Sequence, residues 1–418
     1  MNQWYKIDNA GKMFHAVSEQ ANSSVFRISM IMTSDVNATH LQRALDDVMK
    51  RLPMFAVKLG KGLFWDFLVE NDQKLLVQRE KRYPCAPIDP IETNGYLLRV
   101  VYYNKRLAVE FFHSMTDGTG ALEFIKALVY YYLIHSGETV EHDGTLLDIE
   151  DEPSHYEIDD SYQNYVTKDK GKKPKETHAY QIRGEHIEET IVVHGKLCAS
   201  DVHQLAKSYG TTVTAFLTAV MIHAIYKEKL NYRFRKEEIK IAIPVNLRSF
   251  FPSKTLRNFF AVVNVGMRVH DRMTIEEIIE GITSQLQSKA RKESLQQSLN
   301  HHVQWQTMLA ARFIPIFLKY HAIRYGYKSY GERTKSMTLT NIGRIELPKS
   351  MQKYVEHMEM VMYPTRKSPI NGGMVAIKDE LVISFARTIK EADLIRAFFQ
   401  ELTQTHNLNV HVYSNDGR

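Results

Sequence analysis

A histidine and an aspartate four residues apart, His113 and Asp117, stand where an apolar strand is predicted to end and a helix to begin. Apolar and polar residues alternate from Lys105 to Phe112, which predicts a strand with one buried face that ends at the histidine. An imidazole in this position is a candidate general base, because its pKa lies close to physiological pH. Asp117 is well placed to cap the following helix, and Gly118 leaves room for another group to approach closely.

Each of these residues also has a purely structural interpretation. A histidine at a strand end is more often a hydrogen-bonded structural residue than a catalyst, and an aspartate at a helix start is explained by capping. What favours chemistry is the complete His-x-x-x-Asp-Gly pattern. It resembles the active-site motif of the chloramphenicol acetyltransferase-like superfamily, which includes alcohol acyltransferases, plant-type acyltransferases and peptide-synthetase condensation domains. Condensation domains usually carry two adjacent histidines, whereas the first position here is Phe112, so the match is closer to the single-histidine branches.

Hydrophobic periodicity predicts the elements that position this motif. Leu97 to Tyr103 and Leu107 to Phe112 form a predicted hairpin across a tight polar turn, which delivers the chain to His113. The apolar positions of the following helix cover more than one stripe, which indicates burial on most sides. The order of strand, turn, strand and helix recurs at residues 373–403, with Arg387 in the position of His113. The sequence therefore predicts two related halves with chemistry on one of them, and pockets commonly form where such halves meet.

The length and the charge distribution predict two domains. A chain of 418 residues is too long for one ordinary hydrophobic core and suggests two domains of about 200 residues each. The stretch 141–175 is rich in acids at first and ends in the basic run Lys168 to Lys175, which is typical of an exposed connection. We therefore expect an N-terminal subdomain at 1–175, including this linker, and a C-terminal subdomain at 176–418.

Other features bear on the cellular location. The opening residues Met1 to Tyr5 show no basic segment followed by an apolar run, and no stretch approaches the roughly 20 apolar residues of a membrane span. The two cysteines, Cys85 and Cys198, lie far apart without a metal-type spacing, which favours a reducing compartment. These observations predict a cytoplasmic protein without a membrane span.

Several function classes lack their signatures. The net charge of +6 fits a mildly basic surface and could help attract an anionic substrate. Nucleic-acid binding would need a clustered basic face with an identifiable reading element, and neither is evident. The Gly-x-Ser-x-Gly nucleophile elbow of serine esterases is missing. The adjacent His301 and His302 point to different parts of a predicted helix without matching ligands, so no metal site is predicted there.

The resemblance to the superfamily extends beyond the central motif. Four further segments occur in the order, and at roughly the separations, seen in bacterial and fungal alcohol acetyltransferase-like proteins: Thr212 to Lys227, Pro244 to Arg248, Asn258-Phe259 and Thr340 to Arg344. The resemblance implies an α/β fold of two mixed α/β subdomains, arranged as a pseudo-dimer around an interface tunnel. A thioester donor would enter this tunnel from one face and the acceptor from the other, without a metal or redox cofactor.

The resemblance also implies roles for individual residues. His113 would take the proton from an acceptor hydroxyl or amine during attack on the thioester, without a covalent enzyme intermediate. Asp117 would point away from the substrate and pair with an arginine, for which Arg248 is the candidate. Thr340 or Asn341 could donate a hydrogen bond to the tetrahedral oxyanion. A simple turn after a strand explains these last two residues at least as well.

Three functions stay open at this stage. The first is an acyl-CoA-dependent O- or N-acyltransferase acting on a small-molecule alcohol or amine. The second takes its acyl group from an acyl carrier protein, as condensation domains do. The third is a non-catalytic binding protein on the same scaffold, which loss of the motif would have favoured, whereas His113, Asp117 and Gly118 are all retained.

Overall fold

The structure, a computed structural model, describes residues 4–148, 150–169, 176–234, 236–307 and 314–415. Within these ranges the strands are β1 (Trp4–Lys6), β2 (Val25–Met32), β3 (Val57–Gly60), β4 (Phe67–Glu70), β5 (Gln78–Arg79), β6 (Leu98–Tyr103), β7 (Arg106–Phe112), β8 (His186–Cys198), β9 (Ile239–Asn246), β10 (Phe260–Met267), β11 (Met337–Ile345), β12 (Val355–Val361), β13 (Ile370–Ile377), β14 (Glu380–Ile389) and β15 (His411–Ser414).

The α-helices in the same ranges alternate with these strands. They are α1 (Asn9–Val17), α2 (Ala38–Arg51), α3 (Gly118–His135), α4 (His155–Ile158), α5 (Ser161–Tyr165), α6 (Ala199–Ser208), α7 (Val213–Leu230), α8 (Ile275–Lys289), α9 (Lys292–Thr307), α10 (Ile316–Gly326), α11 (Lys349–Gln352) and α12 (Asp393–Gln400). The predicted mixture of α and β elements is confirmed.

The predicted hairpin lies inside a five-stranded sheet with the order β12-β2-β7-β6-β5. Its turn is tight because Asn104 adopts φ 48°, a left-handed conformation that asparagine tolerates, and Tyr103 then pairs with Arg106. On one face of this sheet α3 packs against β2 and β7, and α2 packs against α3. Leu107, Val109 and Phe111 are fully buried, so this face carries the core that holds the end of β7 in place.

A second sheet of seven strands has the order β10-β9-β11-β13-β14-β8-β15. Its central trio β8-β14-β13 is antiparallel throughout, like the trio β2-β7-β6 of the first sheet. In each trio a hairpin leads into a helix, α3 after β7 and α12 after β14. The internal repeat predicted from the sequence is therefore confirmed.

One strand from the C-terminal half of the sequence belongs to the first sheet. β12 follows β11 in the chain, yet it pairs antiparallel with β2 of the first sheet, with Met358 opposite Met30. The C-terminal half of the sequence thus completes the N-terminal sheet, and a division by sequence position alone does not describe the packing. The predicted boundary at residue 175 and most of the basic run Lys168 to Lys175 lie outside the described residues.

A third, small sheet has the order β1-β4-β3. Its central strand begins at Phe67, and residues 63–66 before it form a loop. The buried Asp66 carboxylate holds this loop, because it accepts hydrogen bonds from the backbone N–H of Gly62 at 3.3 Å and from His15 Nε2 at 2.7 Å.

Within the described residues no single helix is long and apolar enough to cross a membrane. The bent pair α6 and α7, which meet at 80°, passes that test together by length and composition. Most residues of α7 are buried in the protein core.

Candidate active site

His113 lies in the short loop between β7 and α3, and aromatic rings surround its imidazole. Phe14 stacks on it with ring centroids 4.0 Å apart and planes 18° apart, and Phe26 approaches at 4.9 Å. The backbone N–H of His113 donates to the carbonyl of Ser24 at 2.8 Å, which continues the β2–β7 pairing by one residue. Only 8% of the histidine surface is exposed.

This environment favours the neutral form of the imidazole. Burial lowers the pKa of His113, and the nearby Asp117 carboxylate opposes that effect. A neutral histidine has one ring nitrogen with a free lone pair, which is the form that a general base requires.

One ring nitrogen already has a partner from the other half of the sequence. His113 Nδ1 lies 3.1 Å from Oδ1 of Asn258, in the loop that leads into β10. The amide nitrogen of Asn258 donates to the His113 carbonyl at 3.0 Å and to Oδ2 of Asp8 at 3.1 Å. Sequence reasoning included Asn258 only as part of a family-like segment and missed Asp8. The signal for Asp8 is its position three residues before Gly11, where it caps α1.

Asp117 uses its two carboxylate oxygens for different tasks. Oδ1 caps α3 by accepting from the backbone N–H groups of Thr119 at 3.1 Å and Gly120 at 3.2 Å. Oδ2 accepts from Arg248 Nη1 at 2.8 Å and from the backbone N–H of Phe259 at 2.8 Å. Capping and ion pairing were alternatives from the sequence, and the structure contains both.

Arg248 fastens the loop 255–259 beside the motif. Its guanidinium donates to the carbonyls of Thr255, at 2.9 Å from Nη2, and Arg257, at 2.6 Å. Thr116 adds a further connection, because its hydroxyl donates to the carbonyl of Leu256 at 2.6 Å. The motif loop and the loop 255–259 therefore form one hydrogen-bonded unit that brings Asn258 to the imidazole.

Two glycines make this close approach possible. A Cβ at Gly118 would lie 3.1 Å from the Ile342 Cγ2 atom, a tight contact with a side chain. A Cβ at Gly120 would collide with the backbone carbonyl oxygen of Leu256. The sequence analysis selected Gly118, whereas the stricter requirement falls on Gly120, which it missed because the partner loop is 136 residues away in the sequence.

Thr340 and Asn341 lie on β11, whose next residue, Ile342, is the neighbour of Gly118. Thr340 is buried and is the register partner of Gly373. Asn341 donates from Nδ2 to the Thr214 hydroxyl at 2.9 Å, and its Oδ1 accepts from the backbone N–H of Gly343 at 2.9 Å. Asn341 is therefore engaged at the start of α7, and an oxyanion role for either residue stays a prediction.

Of the adjacent histidines singled out in the sequence, His302 lies on α9 and stacks on Tyr162, with ring centroids 5.8 Å apart. Among the described residues there is no group of three or more His, Cys, Asp or Glu side chains that could hold a metal ion.

One part of the chain matches a known family model. Residues 157–270 match the family model described as alcohol acetyltransferase. The matched segment contains Arg248, Asn258 and the whole of β10. No curated protein sequence matches the chain.

Solved structures of the same fold cover nearly the whole chain. F. sporotrichioides TRI101, complexed with coenzyme A and T-2, has a TM-score of 0.64 at 12% identity over 98% of this chain and 99% of that chain. A starter condensation domain of rhizomide synthetase, complexed with C8-CoA and Leu-SNAC, has a TM-score of 0.60 at 12% identity over 96% and 93%. Wax ester synthase/diacylglycerol acyltransferase from Marinobacter aquaeolei has a TM-score of 0.58 at 12% identity over 97% and 100%.

At these identities the likeness establishes the fold. It is the two-lobed, mixed α/β architecture of the chloramphenicol acetyltransferase-like proteins, so the resemblance seen in the sequence is confirmed.

Proposed function

We propose that this chain, with the fold of the chloramphenicol acetyltransferase-like proteins, is an acyltransferase that moves an acyl group from acyl-CoA to a hydroxyl or amine acceptor. The observation that carries the proposal is the state of His113. Its ring is buried, its pKa is lowered by burial, and its Nδ1 is engaged by Asn258, which leaves Nε2 for an acceptor. The alcohol acetyltransferase match over residues 157–270 supports it.

The reaction needs one proton to move twice. Nε2 of His113 removes the proton from the acceptor O–H or N–H while the oxygen or nitrogen bonds to the thioester carbonyl carbon. The tetrahedral intermediate then collapses, the C–S bond breaks, and the imidazolium returns the proton to the thiolate. The products are the ester or amide and the free thiol, and no acyl group is attached to the enzyme.

The remaining site residues have supporting roles in this proposal. Asp117 and Arg248 hold the loop of His113 in shape, and Gly118 lets β11 approach the motif. Thr340 or Asn341 would donate to the oxyanion, where a preorganised donor stabilises the developing charge. The site would lie in a tunnel between the two lobes, open to donor and acceptor from opposite faces.

Coenzyme A is the preferred donor because TRI101 and the starter condensation domain, of the same fold, are seen with CoA compounds. An acyl carrier protein is the alternative donor. A carrier-dependent enzyme would be expected to show the paired histidines of condensation domains, and Phe112 occupies the first position. We further expect a cytoplasmic enzyme that requires no cofactor beyond the acyl thioester.

The test is a thiol-release screen of acyl-CoA donors of different chain length against pooled alcohols and amines. Acceptor-dependent release that disappears in His113→Ala supports the proposal. His203→Ala, which removes an exposed histidine on α6, is the matched control and should behave like the wild type. A folded wild-type protein that transfers no acyl group from CoA or carrier-protein donors would favour the non-catalytic alternative.

A further inference from the structure

The hydrogen-bond network behind His113 determines which of its nitrogens carries the proton. We infer that Asn258 and Asp8 are positioning residues that hold His113 as the Nδ1–H tautomer, so that Nε2 is the basic nitrogen. This inference rests on the proposed function for its catalytic meaning, but its structural content stands independently of any reaction.

The first step is the orientation of the Asn258 amide. The His113 carbonyl oxygen can only accept a hydrogen bond, and it lies 3.0 Å from the Asn258 side chain. The amide NH₂ must therefore face it, because the reversed amide would place two oxygen acceptors against each other. The second hydrogen of the same NH₂ group points to Asp8 Oδ2 at 3.1 Å.

The second step is the tautomer of the ring. With both amide hydrogens donated, Oδ1 is the Asn258 atom that faces His113 Nδ1, at 3.1 Å. An amide oxygen is an acceptor, so Nδ1 must supply the hydrogen. The proton that a neutral imidazole carries is then on Nδ1, and the lone pair is on Nε2.

The third step is the role of Asp8, which is fully buried and lies before α1. Its Oδ1 accepts from the backbone N–H of Gly11 at 2.7 Å, and Arg257 Nε lies 3.7 Å from its Oδ2. Asp8 is thus held from the side of α1 and presents Oδ2 as an acceptor for the Asn258 NH₂ group. It favours the same amide orientation as the His113 carbonyl does, and that orientation determines the tautomer.

The same residue also places the ring that covers the imidazole. Asp8 caps α1, and Phe14 on that helix stacks on His113. The imidazole is therefore held in plane by Phe14 and along its Nδ1 edge by Asn258, with both supports leading back to Asp8.

The experiment measures the tautomer directly by ¹⁵N NMR of the whole protein labelled at histidine nitrogens, at a pH where the ring is neutral. The His113 signals are assigned by their loss in His113→Gln. The wild type should show the proton on Nδ1, and this spectrum tests the inference even if a variant fails to fold.

Two variants probe the network. Asn258→Leu removes the acceptor, and Asp8→Asn removes the fixed acceptor behind the amide. Each should lower the ratio of the Nδ1–H to the Nε2–H form by about tenfold or more, the effect of one lost buried hydrogen bond.

Kinetics separate positioning from mere folding. With a donor and acceptor in hand, kcat of Asp8→Asn should fall by about 10-fold to 100-fold, part of what a general base contributes, while KM for the donor changes little. Wild-type protein with the proton on Nε2, or an unchanged tautomer ratio in both single variants, would overturn the inference. A tautomer that responds as expected in a protein without transferase activity would uphold it and refute the proposed function instead.

Discussion

The two repeats of strand, turn, strand and helix share an architecture but end in different chemistry. The hairpins β6–β7 and β13–β14 both turn at a residue with positive φ, Asn104 at 48° and Lys378 at 53°. At the end of β7 stands His113, whose partner Asn258 comes from a distant loop. Near the end of β14 stands Arg387, whose Nη1 donates to the carbonyls of Ile389 at 2.6 Å and Lys390 at 2.9 Å.

The helix starts differ in the same sense. Asp117 caps α3 and also pairs with Arg248, whereas α12 follows Ala392 without a side-chain cap. Arg387 donates to carbonyls two and three residues further along the chain, whereas His113 is hydrogen-bonded by Asn258 from the other half of the sequence. The comparison teaches that burial and turn geometry are sufficient to repeat the architecture, while the site requires a second loop that docks on only one copy.

The largest expected effect is the difference between substituting His113, at the end of β7, and Arg387, near the end of β14. His113→Ala should lower kcat per folded molecule by about 10² to 10⁴, the usual contribution of a positioned base. Arg387→Ala should affect stability alone, because it removes a buried side chain that satisfies two carbonyls. We expect it to lose about 1 to 3 kcal/mol of stability with unchanged kcat per folded molecule. Steady-state kinetics and denaturant unfolding of both variants provide the measurement, and the same pattern in both would remove the distinction.

The next effect concerns the ion pair between Asp117 and Arg248, which supports the first repeat. Asp117→Ala should leave the Arg248 guanidinium, whose side chain is only 10% exposed, uncompensated, at a cost of about 3 to 5 kcal/mol, and Arg248→Ala should resemble it. The double variant should cost less than the sum of the single losses, because the two groups are in contact. Asp117→Asn is the control. It keeps the cap on Thr119 and Gly120, so it should lose less than Asp117→Ala.

A double-mutant cycle followed by denaturant unfolding measures this coupling. Strict additivity between positions 117 and 248 would contradict the ion pair and leave Asp117 as a helix cap. Full tolerance of Asp117→Asn would have the same meaning.

A smaller effect tests the docking of the second loop. Gly120→Ala should cost about 1 to 3 kcal/mol, because its Cβ would displace the backbone of Leu256 in a packed contact. Gly118→Ala should be milder, because its Cβ would meet a movable Ile342 methyl group. Melting temperatures of the two variants make the comparison, and equal losses would contradict the assignment of the stricter contact to Gly120.

The smallest expected effect is a shift of the acid limb of the pH–rate profile to lower pH. Burial lowers the pKa of His113, so the neutral base should persist below the ordinary histidine pKa of about 6.5. The acid limb of kcat/KM should lie below that value. In the same range the unfolded chain binds a proton that the folded chain does not, so this group's contribution to stability should decrease as the pH falls. A pH–rate profile with an acid limb above the ordinary value would contradict the assignment.

Much of the fold was accessible from the sequence, because periodicity reports which face of an element is buried. The predicted hairpin, the helix after His113 and the repeat at residues 373–403 were all confirmed. The placement of β12 in the first sheet was not predicted, because it depends on how the two halves of the chain pack against each other. The loop at residues 63–66 is equally inaccessible from the sequence, because its conformation follows from the contacts of Asp66.

The residues of the candidate site also fall into those that the sequence could select and those that it could not. His113 and Asp117 could be selected because they are close in sequence and follow a recognisable pattern. Arg248 was selected from the family resemblance, and its contact with Asp117 is present in the structure. Asp8 could not be found, because it is 105 residues from His113 and acts only through Asn258.

The central claim is that His113 is the base of a direct transfer, and single-turnover thiol release at saturating acyl-CoA tests it most directly. The account predicts rapid release by the wild type only when an acceptor is present, and release at least about 100-fold slower in His113→Ala at equal donor occupancy. Stoichiometric release by the wild type without an acceptor, or wild-type rates in His113→Ala, would contradict it.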